Sequence, residues 1–160
     1  MEQQYLFFWG ENKINGFLSN FYPTKFIIDN LTYNCSEQYF MKKKQELFDK
    51  TNNILATNIM NETNPKNIKN YGRQVKNFSD DIWNINKYKI MYDGVFAKFS
   101  QNHELKIKLL NTGNMYLVEA SPYDKIWGIG FNQSNALNNK NKWGQNLLGK
   151  ILMKVRDKLN

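Results

Sequence analysis

Between Ile85 and Phe99 the apolar residues Ile85, Tyr88, Met91, Tyr92, Val95, Phe96 and Phe99 return at intervals of three and four. That period lays them along one face of an α-helix and does not fit a strand, whose side chains alternate in twos. A helix from about Asn84 to Ser100 would be roughly 25 Å long, and so wide an apolar face must be covered along its length by other elements. The chain supplies candidates. Ser36 suits an N-cap for a helix over 37–48 carrying Phe40, Met41, Leu47 and Phe48, and a closing helix from about Asn146 to Leu159 puts Leu147, Leu148, Ile151, Leu152, Val155 and Leu159 on one face. Shorter helices are predicted over 51–60, over 65–71 with Pro65 in the first turn and Gly72 closing it, and from Glu104 to Leu110.

Strand signals are fewer. Tyr5-Leu6-Phe7-Phe8-Trp9 is a short aromatic run ended by Gly10, which reads as a buried strand. Phe26-Ile27-Ile28, a turn at Asp29-Asn30 and Leu31-Thr32-Tyr33 read as a hairpin, and Met115 to Glu119 as a returning strand. With 160 residues, of which 41% are hydrophobic and 15% aromatic, the chain can bury a real core. The expected architecture is therefore α+β: one domain over 1–160, mostly helical, with a small antiparallel sheet made of the N-terminal strand, the hairpin and the 115–119 strand.

Several function classes drop out on composition. A single cysteine, Cys35, permits no internal disulfide, and with a single histidine, His103, no Cys/His zinc pattern can be assembled. No stretch approaches the ~20 apolar residues of a membrane span, and the opening residues lack the order of a signal peptide. A cytoplasmic protein without cofactor, metal or membrane partner is expected. The net charge of +8 would suit a polyanion, but Lys66, Lys69, Lys76, Lys87 and Lys89 are dispersed, as on a solvated surface, and a phosphate-bearing small substrate would use the same charge.

There is also no phosphate-binding glycine loop, nucleophile elbow or histidine triad in the sequence. Acid and base work would then fall to carboxylates, lysine or tyrosine, with Glu37, Lys44, Glu119 and Asp124 the candidates in apolar surroundings. Glu37 and Lys44 share the apolar stripe of the 37–48 helix, two turns and roughly 10 Å apart along its axis. Two charges on a core-facing stripe are a local conflict of the kind functional sites carry. The loop Ser121 to Gly130, with Pro122, Asp124, Trp127, Gly128 and Gly130, is the other place where function would collect. Each residue also has a bland role: Trp127 as packing, Glu37 as an answer to the helix dipole, Lys44 as a snorkelling lysine, Arg73 as a helix-end cap.

Eight segments in order then resemble the signature blocks of one family. They are Leu18-Ser19-Asn20-Phe21-Tyr22-Pro23, Ser36-Glu37-Gln38-Tyr39-Phe40 with Lys44, Gly72-Arg73, Lys98-Phe99, Thr112-Gly113, Leu117-Val118-Glu119, Asp124-Lys125-Ile126-Trp127-Gly128-Ile129-Gly130 and Asn146-Leu147-Leu148-Gly149. Together they resemble the NADAR family of YbiA-like N-glycosidases. The resemblance implies a YbiA-like fold and a hydrolase of N-glycosyl compounds that cuts a ribosyl C–N bond. The substrate would be ADP-ribosylated guanine, presented on nucleic acid, or a phosphoribosylamino-pyrimidine intermediate of riboflavin synthesis.

On this reading Glu37, Lys44, Asp124 and Glu119 would be catalytic, Trp127 would stack on the base, Arg73 and Lys98 would hold phosphate, and Asn20 and Asn146 would bond ribose hydroxyls beside Gly128. The site is expected where the 37–48 helix begins and the 121–130 loop lies. Gln38 departs from the histidine common in the family, as Met41-Lys42 does from Gln-Ala. A non-catalytic ADP-ribose or nucleotide-binding module, or a basic RNA-binding protein, is the alternative.

Overall fold

The computed structural model describes residues 1–160, which divide by their packing into two compact units, Pro23–Gln101 and Met1–Tyr22 with Asn102–Asn160. In the first, β2 (Phe26–Ile28) and β3 (Leu31–Tyr33) form the antiparallel hairpin read from the sequence, in register Ile28 to Leu31. Asp29 and Asn30 turn it with φ of 50° and 64°, the left-handed pair a two-residue hairpin loop demands and that Asp and Asn tolerate. Four helices follow: α1 (Ser36–Phe48), α2 (Asn53–Asn61), α3 (Pro65–Gly72) and α4 (Asp80–Gln101). Phe26, Tyr33, Tyr39 and Ala97 form a buried cluster, with Tyr33 and Tyr39 packed edge to face, ring centroids 5.1 Å apart.

The second unit pairs β1 (Tyr5–Phe8) with β4 (Tyr116–Glu119), and packs them with α5 (His103–Leu110), the short α6 (Gln133–Ala136) and α7 (Leu147–Leu159). Leu148, Ile151, Leu152 and Val155 of α7 are fully buried, as are Leu117 and Val118 of β4. An aromatic group of Tyr5, Phe7, Tyr116, Phe131 and Trp143 packs against Val118, Ile129 and Ala136.

The class is as expected, mostly helical α+β with small sheets, but the sheet differs in detail. β1 and β4 run parallel, Tyr5 opposite Tyr116 and Phe8 opposite Glu119, and form a two-stranded sheet separate from the hairpin. Alternation reports that a segment is extended; the direction of its partner depends on the crossover, which a parallel pair requires to be long. α1 begins at Ser36 with Cys35 in the cap position, one residue earlier than read. α4 starts at Asp80, and Ile85 is 81% exposed, because Met91, Val95 and Phe99 turn inward together with Lys87 and Lys98 rather than with Ile85. The 133–142 segment, too polar for a helical stripe, forms α6 and a 3-10 turn, held by Asn132 accepting from the N–H of Asn135 and by the Trp143 indole donating to the Ala136 carbonyl at 2.8 Å. No helix is long and apolar enough to cross a membrane.

Candidate active site

Of the candidate residues, Glu37, Lys44, Arg73 and Lys98 fall in the 23–101 unit, and Asn20, Glu119, Asp124, Trp127, Gly128 and Asn146 in the other. Glu37 lies in the first turn of α1 and is 7% exposed. Its neighbour Gln38 is wholly structural: the side-chain oxygen accepts from the N–H of Asn34 at 2.7 Å, and its amide donates to the carbonyls of Ile59 and Met60 at 3.0 and 3.1 Å. An amide offers two donors and an acceptor where a neutral imidazole offers one of each, so glutamine fits this brace between α1 and the end of α2.

Lys44, two turns on, is half-buried, and its ammonium donates to the Gly72 carbonyl at 2.9 Å and lies 4.7 Å from the centre of the Phe78 ring. Burial lowers its pKa from the ordinary 10.5; Glu37 opposes the shift and the like charge of Arg73 adds to it. The influence of Glu37 is the electrostatic trace of the shared stripe. Gly72 has a packing reason to be glycine, since a Cβ there would run into the Met41 sulfur. Its place at the end of α3 brings a carbonyl to the amine. Arg73 is exposed and donates to the Asn70 side chain at 2.9 Å. Phe78, which covers the amine, had no signal in the sequence because it lies in a connection between helices.

Lys98 was expected to hold phosphate, and its placement argues otherwise, for it is 1% exposed on α4. Burial pulls its pKa down to about 7, while the nearby Cys35 thiol, itself pushed up to about 11 chiefly by burial, works the other way. An unfolded chain would hold that proton up to the ordinary 10.5. Below pH 7 both states are protonated and stability is flat in pH on this account. From about 7 to 10.5 the unfolded state carries the extra proton, so stability climbs as pH rises, by at most about 1.4 kcal/mol per pH unit. Urea unfolding of the wild type at pH 7, 8 and 9 is expected to show this climb, and Lys98→Met to flatten it; an equal slope in the variant would refute the assignment.

In the other unit, the 121–130 loop is zipped to the start of α7. The N–H groups of Gly144, Gln145, Asn146, Leu147 and Leu148 donate to the carbonyls of Ile129, Lys125, Gly128, Ile126 and Trp127. Asp124 closes the loop's turn, its Oδ1 accepting from the N–H groups of Ile126 and Trp127, both at 2.8 Å. Gly128 is needed for spacing, since a Cβ would sit 2.8 Å from the Glu119 carbonyl. Glu119 and Trp127 are half-buried, and Asn20 is half-buried in the turn that Ser19 holds by accepting from the N–H of Phe21.

Asn146, read as a ribose contact, spends its side chain on the backbone instead. It is 2% exposed, with Oδ1 accepting from the N–H of Glu119 at 3.0 Å and Nδ2 donating to the Leu117 carbonyl at 2.9 Å. Both bonds lock β4 to the head of α7, and the left-handed φ of 50° suits asparagine. Losing two buried bonds in Asn146→Ala, and placing alanine in that conformation, is expected to lower unfolding free energy by about 2–4 kcal/mol, read by urea denaturation. A loss under about 0.5 kcal/mol would show that the lock carries little.

Comparison with known proteins places this arrangement. The NADAR domain matches residues 7–160. The chain is 42% identical over 164 residues to N-glycosidase R617 of Acanthamoeba polyphaga mimivirus, covering 96% of this chain and 95% of that protein. It is 29% identical over 157 residues to the Riboflavin biosynthesis protein VVA0006 of Vibrio vulnificus, covering 98% of this chain and 39% of that one. The NMR structure of the E. coli protein YbiA superposes with a TM-score of 0.80 at 28% identity, over 99% of this chain and 86% of that one.

Proposed function

Because the chain belongs to the NADAR family, we propose that it is an N-glycosidase that hydrolyses the ribosyl C–N bond of a phosphorylated N-riboside. It is a hydrolase acting on N-glycosyl compounds, as its mimiviral relative and others are named. The observation that carries the reading is a half-buried amine of lowered pKa, Lys44, on the same helical stripe as the buried carboxylate Glu37.

Breaking a ribosyl C–N bond leaves the sugar carbon electron-poor and the departing nitrogen in need of a proton. A ribosylamine can open to an imine at C1. The free amine of Lys44 adds to that carbon, the original nitrogen leaves with a proton, and a Schiff base joins Nζ to C1. Water then adds to this imine, releases the sugar as its aldehyde and returns the amine. Each step moves a proton, and Glu37 is the carboxyl assigned to move it. Asp124 keeps the 121–130 loop closed, with a fixed carboxylate next to Trp127.

Two substrates satisfy this chemistry. The name of the Vibrio relative supports a phosphoribosylamino-pyrimidine of riboflavin synthesis, and the net charge of +8 is equally suited to ADP-ribose on guanine in nucleic acid. Incubating the pure protein with each, side by side, and measuring released ribose 5-phosphate or ADP-ribose decides between them. Release from neither, under conditions where the protein is folded, would refute the activity.

A further inference from the structure

The parallel pair β1 and β4 ends on Phe8 and Glu119, and a cavity of about 750 Å³ opens beyond those carboxyl ends, lined by Phe8, Trp9 and Ala120 with Asn12, Lys13 and Gln133 among the rest. Crevices outside the carboxyl ends of parallel strands are where such sheets bind ligands, and this one is of small-molecule size. Its make-up is specific. Trp9 is half-buried, with the Lys13 ammonium 4.6 Å from its ring centre and the 87% exposed Tyr123 ring 5.9 Å away. The rim is amide: Asn12, Gln133 and Asn132, the last using Oδ1 on the Asn135 N–H and the Ser134 hydroxyl, which leaves Nδ2 as a donor for a ligand. No acidic side chain lines it.

We propose that this cavity binds a nucleobase with its phosphate, the base stacked on Trp9, its edge read by the amides of Asn12, Asn132 and Gln133, and the phosphate taken by Lys13. An aromatic wall suits any base, side-chain amides pair with base edges, and an ammonium on a lining without acidic side chains suits a phosphate. A lipid would leave the amide rim unsatisfied. Lys13, on an exposed segment, swings from the indole to the phosphate as the nucleotide enters.

Binding is tested apart from hydrolysis with C-nucleotides, whose base is joined to the sugar by a carbon–carbon bond. Formycin 5′-monophosphate represents a purine and pseudouridine 5′-monophosphate a pyrimidine; the tighter of the two identifies the base this cavity prefers. Calorimetric titration should give saturable binding of at least one. Trp9→Ala is expected to weaken it about tenfold or more, and Trp9→Phe, which keeps a ring, to restore most of it. Gln133→Ala, at an exposed position that leaves folding untouched, should cost several-fold. Lys13→Gln should weaken the monophosphate but not the nucleoside. Binding of neither, or binding undiminished in both Trp9→Ala and Gln133→Ala, overturns the site. Turnover of an N-riboside without binding through Trp9 removes this site alone, whereas binding without turnover of any N-riboside removes the proposed activity and leaves the site standing.

Discussion

Lys44→Ala is expected to lower turnover of the N-riboside by on the order of 10⁴-fold, the scale on which a covalent nucleophile is missed. The amine's setting supports this. A surface lysine is protonated at neutral pH and cannot attack, whereas Lys44 is half-covered by Phe78 and α3 and its pKa is lowered mainly by burial. The free amine is the reactive form, so the rate should rise with pH through a value below 10.5. Because Arg73 lowers that pKa, Arg73→Ala should move the rise to higher pH. Borohydride added during turnover should reduce the imine and leave the sugar on Lys44, seen as added mass on that residue's peptide. Near wild-type turnover in Lys44→Ala, with activity lost in Asp124→Asn, would refute the imine route. Asparagine at 124 can still accept from the N–H groups of Ile126 and Trp127, so that variant removes the charge and keeps the turn.

Glu37→Gln is expected to lower kcat by about 10²–10⁴-fold, the usual share of a positioned acid or base, with a smaller change in KM. The substitution keeps shape and removes the titrating group, and a buried carboxylate exchanged for an amide need not lower stability. Its second effect distinguishes it from a folding defect. Glu37 raises the pKa of Lys44, so without it the pH–rate rise should move to lower pH, opposite to the Arg73→Ala shift. An unmoved profile in Glu37→Gln, with kcat intact, would show that the carboxylate serves only the helix terminus.

Much of this was legible because local rules and the fold agree. The hairpin was readable from Asp29-Asn30, whose tolerance of positive φ is a property of the residues themselves. The same holds for the apolar stripe of α7, whose buried Leu148, Ile151, Leu152 and Val155 all lie on the face read from the sequence, and for the pairing of Glu37 with Lys44, which follows from helical spacing alone. Other assignments needed the third dimension. Asn146 and Lys98 read as polar residues available for a ligand, yet the structure buries both: Asn146 bonded to β4 and Lys98 beside Cys35.

Trp9 shows the converse. In the sequence it closes an apolar run like any strand residue, and only the parallel pairing of β1 with β4 puts it at the mouth of a cavity. The amino-acid sequence by itself determined where helices and turns form and which face of each is apolar, since those depend on neighbours within a turn or two. Which strand lies beside which, in what direction, and whether a polar side chain meets backbone, core or ligand, was decided only by tertiary packing, because those partners come from distant segments.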